Sequence, residues 1–366
     1  MTNTVKVSLH HKFLKHMHHV VSGAIALVFW ISFVPQGFAA VLEGPYPLLV
    51  TPWTEEAELD VPVLVKEAEF VERTGSSGII WPTSVEVEAL DATGEYEAGL
   101  QALAERASKP GAEFNSRLTA VCSGKTSAEV VARVKKVEAI AKRTGAKMAI
   151  LARPPDDATD QMMIEAHYRA LAKETTLPVI IQTYNGKSPQ PDVDLIITLA
   201  KELPETYSWV KEESPGQQVN ARMEQLLSHP EIKTVFCGWG AKAWVYQGGR
   251  IGALGAISQR PAYAGLFVRV FKRLSAGADA SDPELAAAFT KYLYMINLGD
   301  VFSKYGDDEM RGPHLYVLQR LGIFRNRLSR TATGKVKEFE MSDKMKAEVD
   351  ARLEFVGITA ENPWGK

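Results

Sequence analysis

Lys211 carries the strongest chemical signal in the chain. It stands in Tyr207-Ser208-Trp209-Val210-Lys211-Glu212-Glu213-Ser214, at the end of a strand-like apolar run. A lysine pointing into a protein interior loses hydration, which disfavours the ammonium form and frees the amine as a nucleophile. A neutral amine is what a carbonyl needs to form a Schiff base. The sequence leaves a second orientation open, in which Lys211 points outward and pairs with Glu212 or Glu213. Tyr184 ends the preceding apolar run, in Gln182-Thr183-Tyr184-Asn185-Gly186. Neighbouring strands lie about 5 Å apart, so a phenol there is in range of the lysine and could move protons. Otherwise it is a rim tyrosine facing water. Thr83 and Ser84 follow the second run, where hydroxyls and backbone N–H groups suit a carboxylate or cap a turn. Arg153 follows the fourth run and either holds an acidic substrate group or is a solvated or ion-paired rim side chain. Cys122 and Cys237 also end apolar runs and read as small buried hydrophobes. His314, after Gly312-Pro313, is given no role.

The elements that must position these groups alternate between short apolar runs and stretches of helical periodicity. Strands are expected at Pro45–Val50, Gly78–Trp81, Leu118–Cys122, Lys147–Leu151, Pro178–Gln182, Tyr207–Val210, Thr234–Phe236 and Ala253–Ile257. Helices are expected at Val61–Arg73, Tyr96–Ala107, Ser127–Arg143, Asp160–Glu174, Val193–Glu202 and Gln217–Ser228. Continuous apolar runs are the mark of parallel strands covered on both faces. Eight such units favour an α/β TIM (β/α)8 barrel, and no G-x-G-x-x-G segment follows the first strand to suggest a dinucleotide fold. In such barrels the active site lies at the C-terminal ends of the strands, where the residues above fall. Residues from about Ala264 to Val356 read as helical and supply a C-terminal helical extension. The expected organisation is residues 1–40 as a leader, 41–275 as the catalytic barrel and 276–366 as the extension.

The 366 residues suffice for one large barrel, and 46% hydrophobic with 23% charged residues is ordinary globular composition. A formal net charge of −2 gives no reason to expect nucleic acid as a partner. Two cysteines exclude a disulfide framework and make a structural zinc site unexpected. No metal and no cofactor is expected. At the start, Lys6, Lys12, Lys15 and five histidines precede an apolar stretch, Val20 to Val34, and then Gly37-Phe38-Ala39-Ala40. Basic, apolar, small is the order of a secretory signal peptide. Export to an exported or periplasmic location is expected if the leader is genuine. A membrane anchor or a start codon placed too far upstream would instead leave the barrel beginning after Val41, in the latter case in the cytoplasm.

From Gly44 to Gly357 the chain resembles the dihydrodipicolinate synthase/N-acetylneuraminate lyase family. Leu49-Val50-Thr51-Pro52-Trp53 resembles its opening L-V-T-P-F, and Pro82-Thr83-Ser84-Val85-Glu86 its G-T-T-G-E carboxylate turn. Tyr184-Asn185 resembles the Y-N of its relay tyrosine. Val210-Lys211-Glu212-Glu213-Ser214 is similar to I-K-E-A-S, and Gly252-Ala253-Leu254-Gly255 to the eighth-strand G-A-I-G. The resemblance implies a class I lyase or aldolase in which Lys211 forms an imine with a 2-oxo acid such as pyruvate. It implies that Tyr184 relays protons, that Thr83 and Ser84 bind the carboxylate, and that Leu254 and Gly255 line the substrate site. It also implies a homo-oligomer, tetramer or dimer. A dehydratase or hydratase-aldolase with the same imine, and a ligand-binding barrel without turnover, are the alternatives. Three departures bear on the choice. Pro82 and Val85 replace the turn's glycines. Lys187 and Pro189 stand where the synthases follow Y-N with a proline and an arginine. Arg153-Pro154-Pro155-Asp156-Asp157 lacks the synthases' P-P-Y-Y tyrosine.

Overall fold

In the computed structural model the described residues are 42–109, 117–184, 188–216, 218–279, 281–296, 312–331 and 333–365. The expected leader lies outside them. Residues 39–366 form one compact unit.

Eight strands make a single parallel sheet: β1 Gly44–Pro47, β2 Gly78–Trp81, β3 Arg117–Cys122, β4 Met148–Ala152, β5 Val179–Gln182, β6 Trp209–Glu212, β7 Thr234–Cys237 and β8 Gly255–Gln259. From β2 to β8 each pairs with the next, and β8 pairs with β1. A parallel bridge between Leu48 and Ile80, with Leu49 N–H donating to Ile80 C=O at 2.9 Å, brings β1 onto β2 and closes the ring. The fold is a TIM barrel. The helices between strands are α1 Val61–Arg73, α2 Val87–Ala92, α3 Glu95–Ala107, α4 Ser127–Thr144, α5 Gln161–Ala172, α6 Val193–Glu202, the single turn α7 Pro204–Tyr207, α8 Gln218–Leu227, α9 Ala241–Tyr246 and α10 Ala264–Ser275. Their starts are set by local chemistry. Asp60, Thr126 and Asp160 each accept a bond from the N–H three residues on (Val63, Glu129, Met163), satisfying donors that a helix start leaves open.

Two strands are displaced by two residues from their expected positions, and the shift matters. Tyr207 belongs to α7, whose proline opens the turn, so β6 begins at Trp209 and places Lys211 inside the strand. Before β8, a π-helical segment Gln247–Ile251 continues α9, and Gly252 turns the chain with φ of 93°. Ala253 N–H donates back to Gln247 C=O at 3.0 Å, which keeps Ala253 out of the strand, and β8 starts at Gly255.

The C-terminal part contains α11 Pro283–Ile296, α12 Gly312–Arg320 and α13 Asp343–Val356, as the helical pattern implies. It also holds an antiparallel ribbon, β9 Leu328–Arg330 with β10 Val336–Glu338, which the sequence did not suggest. The extension binds back to the first βα units. The Arg330 guanidinium lies 3.8 Å from the Trp53 ring centroid and pairs with Glu95 at 2.6 Å, and Trp364 Nε1 donates to Thr74 C=O at 2.9 Å.

Candidate active site

Which way Lys211 points follows from its neighbours on β6. Glu212, fully buried, meets Arg222 of α8 at 3.1 Å, so it faces the helical layer outside the sheet. Successive strand residues alternate faces, so Lys211 faces the barrel interior. Its register partners are Gln182 on β5 and Phe236 on β7. Lys211 is 5% exposed. Of the two orientations the sequence allowed, the chain takes the inward one. It nevertheless has an acidic partner: Nζ lies 2.9 Å from Glu213 Oε2.

Glu213 continues the inward face, two residues beyond Lys211. Its backbone N–H donates to Thr183 Oγ1 at 2.8 Å, which fixes it against the end of β5. Gln182 Nε2 donates to the same Oε2 at 2.7 Å. One carboxylate oxygen thus receives both the lysine and the amide. The packing there depends on Gly238, because a Cβ at that position would lie 2.8 Å from Glu213 Cβ and 2.9 Å from the Glu212 carbonyl oxygen. Gln182 and Glu213 were not singled out in the sequence. With β6 ended at Val210, Glu213 reads as a loop acid. With the strand run on, its i+2 spacing from Lys211 puts both on one face.

Tyr184 follows β5 and is about half exposed. Its ring packs against Arg153, whose guanidinium carbon lies 5.8 Å from the ring centroid. Among the described residues no hydrogen bond ties the Tyr184 hydroxyl to Lys211. Arg153 follows β4, pairs with Asp156 at 3.0 Å, and leaves Nε buried without a hydrogen-bond partner. A buried N–H without an acceptor is costly, and a ligand oxygen would satisfy it. Behind Arg153, His167 of α5 is buried, with Nδ1 2.9 Å from the Ser127 hydroxyl; burial lowers its pKa to about 4.

At the end of β2 the Trp81–Pro82 peptide is cis. The Thr83 backbone N–H and hydroxyl donate to Glu86 Oε2 at 3.1 and 2.5 Å, so this hydroxyl is already engaged by a carboxylate. Ser84 is fixed through its backbone carbonyl, which accepts from Ser123 Oγ at 2.9 Å. Both residues therefore hold the turn, and both are partly exposed at the mouth.

Leu254 and Gly255 lie two positions earlier relative to β8 than the sequence implied. Leu254 C=O accepts from Gly44 N–H at 2.8 Å, at the residue where β1 begins. Leu254 precedes β8 and Gly255 opens it, because β8 runs two residues later than the expected Ala253–Ile257. A Cβ on Gly255 would stand 2.5 Å from the Phe236 ring, so a neighbouring side chain, not an open site, fills that space. On the same face Ile257, buried, is one step nearer the exit end.

Cys122 and Cys237 are free and buried, and burial pushes both thiols up to about 12, as befits small hydrophobes. His314 is buried in α12, and burial holds its pKa well below the usual imidazole range. Glu67 of α1, fully buried, accepts from Val50 N–H at 3.1 Å, and burial raises its pKa well above the ordinary carboxylate value. Among the described residues no set of three His, Cys, Asp or Glu side chains converges as a metal site.

No family model matches the chain. A 4-hydroxy-tetrahydrodipicolinate synthase from Chlorobium luteolum is 26% identical over 321 residues, covering 87% of this chain and 98% of the relative. In sequence and in fold the chain is similar to the dihydrodipicolinate synthase/N-acetylneuraminate lyase family, as a divergent relative. The family's fold recurs in solved structures. A Proteus mirabilis N-acetylneuraminate lyase superposes with a TM-score of 0.65 at 15% identity, covering 86% of this chain and 99% of that one. A prophage protein of the dihydrodipicolinic acid synthase family from E. coli K12, in complex with pyruvate, gives 0.66 at 16% identity over the same shares. At the level of the family the chain is an enzyme of the aldolase and lyase class.

Proposed function

We propose that this chain is a Schiff-base-forming lyase or aldolase, cleaving or condensing a pyruvate-type 2-oxo acid with an aldehyde or sugar-acid partner through Lys211. The observation that supports this reading is a lysine 5% exposed, on the inward face of β6, one residue from the strand's C-terminal end. The chemistry asks for such a group. The amine adds to C2 of the oxo acid, the carbinolamine loses its hydroxyl as water, and the iminium that results draws electrons from the adjacent C3. A carbon–carbon bond at C3 can then be made or broken without another electron sink.

The flanking groups have roles within this reading. Tyr184, open to solvent beside Arg153, relays the proton that leaves with the carbinolamine hydroxyl. Arg153 offers its unpartnered Nε to an acidic group of the substrate. Ser84, with Thr83, presents the β2 turn to the 2-oxo acid carboxylate, although Glu86 already holds the Thr83 hydroxyl. Arg153-Pro154-Pro155-Asp156 in place of a tyrosine-bearing turn favours a lyase with another acceptor over the synthase reaction of the Chlorobium luteolum relative. A homo-oligomer, dimer or tetramer, belongs to the proposal.

Incubation with pyruvate and borohydride, followed by peptide mass spectrometry, tests it. A reduced adduct on Lys211 is the expected result. Absence of any adduct with pyruvate and with a panel of other 2-oxo acids would overturn the reading.

A further inference from the structure

We propose that Glu213 is a catalytic acid–base of this site, the group that removes and returns the C3 proton of the 2-oxo acid held by Lys211. The inference rests on the imine reading above and adds to it a residue that the family's I-K-E-A-S pattern, with alanine at that place, does not supply.

Three observations carry it. Glu213 shares the inward face with Lys211, and its Oε2 lies 2.9 Å from the nitrogen that would become the imine nitrogen. The carboxylate is positioned on purpose-fitting neighbours: Gln182 Nε2 donates to the same oxygen at 2.7 Å, Thr183 Oγ1 accepts from its backbone N–H at 2.8 Å, and Gly238 leaves room for its Cβ. Its side chain is 16% exposed, so it reaches solvent for proton exchange while facing the interior.

The reach is set by bond counting. Once Nζ is bonded to C2, C3 is two bonds from the nitrogen, so an oxygen within hydrogen-bond distance of Nζ is within reach of a C3 proton, as a general base must be. The step balances. A Glu213 oxygen takes the C3 proton, the C3–H pair becomes the C2=C3 bond, and the C2=N pair moves onto nitrogen. The products are a neutral enamine and a protonated Glu213. Return of the proton to C3 reverses the step. In the free enzyme the same carboxylate holds the lysine head group, and Gln182 keeps its oxygen aligned when that head group turns into an imine.

The test uses the full chain with pyruvate in D2O. Exchange at C3 is read as loss of the methyl proton signal by NMR, with borohydride trapping run in parallel. Wild type is expected to trap pyruvate on Lys211 and to exchange. Glu213→Gln keeps the hydrogen-bonding shape without the base. It is expected to trap pyruvate but to exchange roughly 10²–10⁴-fold more slowly. Exchange at the wild-type rate in E213Q would overturn the proposal, as would trapping without exchange in wild type, or loss of trapping in folded E213Q. Should E213Q fail to fold, E213D decides: slowed exchange with trapping intact supports the role, and an unchanged rate overturns it. No adduct in wild type would remove the imine itself, and the role of Glu213 with it, which separates that failure from the others.

Discussion

At Lys211 the proposed chemistry depends on one nitrogen, and Lys211→Ala removes it without cutting into the barrel wall. Trapping of pyruvate is expected to vanish, and turnover to fall by roughly 10⁴-fold or more, as nucleophile knockouts do. Borohydride labelling and steady-state assay, with circular dichroism to verify folding, check this together. Arg153 calls for a different signature. Its Nε–H is buried without an acceptor, and its guanidinium stands on the Tyr184 ring. Arg153→Met is expected to raise KM for an acidic substrate by about tenfold or more, the loss of one charge-assisted hydrogen bond, with a smaller change in kcat. A kcat loss with KM unchanged would count against a binding role. Lys211 was legible from type and place, since a lysine closing an apolar run is conspicuous. Glu213 was not, because an acid beside a lysine reads as its surface partner until the strand's true end is known. The pairing the sequence allowed on the outside is in fact made on the inside.

The two-residue displacements of β6 and β8 show what limits a reading by elements. All eight strands and the six longer helices between them were legible, because each apolar run is short and each of these helices carries an amphipathic face, whereas the short α2, α7 and α9 were not expected. Strand ends were not, because Tyr207 and Trp209 are both aromatic and β-prone. Only Pro204, opening a helical turn, decides between them. The same error placed Leu254 and Gly255 within β8, where Leu254 in fact precedes the strand and Gly255 opens it, and hid the parity that joins Lys211 to Glu213. The β9–β10 ribbon escaped notice because three-residue strands carry no period. Two substitutions probe how the β6 end is held. Arg222→Leu leaves the fully buried Glu212 carboxylate without its cation, and about 3–5 kcal/mol of stability is expected to be lost. Chemical denaturation measures it. Gly238→Ala forces a methyl group to within 2.8 Å of Glu213 Cβ and 2.9 Å of a backbone oxygen. A cost of about 1–3 kcal/mol is expected, as for overpacking elsewhere. A change in C3 exchange out of proportion to any change in trapping would show that the strain is transmitted to Glu213.

Across the whole molecule, buried titratable groups outside the mouth tie stability to pH in opposite directions. His167 is neutral in the folded barrel, because burial lowers its pKa from 6.5 to about 4. The unfolded chain therefore takes up a proton near 6.5 that the folded one refuses until about 4, and acid favours unfolding across that interval. The His167 contribution is complete above about 6.5 and is lost as pH falls toward about 4, amounting to up to about 3 kcal/mol. His314, also held neutral by burial, acts in the same direction. Glu67 opposes them. Burial raises its pKa, so the folded state binds the proton more tightly than the unfolded one, and its contribution is lost as pH rises above 4.5. The net profile of the wild type mixes all three, so the informative quantity is a difference. His167→Gln replaces the imidazole by an amide that does not titrate and can still meet the Ser127 hydroxyl. The stability of wild type relative to H167Q is expected to be constant from pH 8 to about pH 6.5, to fall between about pH 6.5 and 4, and to level off below. Denaturation of both proteins at matched pH measures it. A difference that stays flat across that interval would mean the imidazole protonates in the folded barrel as it does in the unfolded chain, with the backbone hydrogen bond to Arg153 outweighing burial. Because His167 lies directly behind Arg153, such a charge would also bear on the affinity of the mouth for anions.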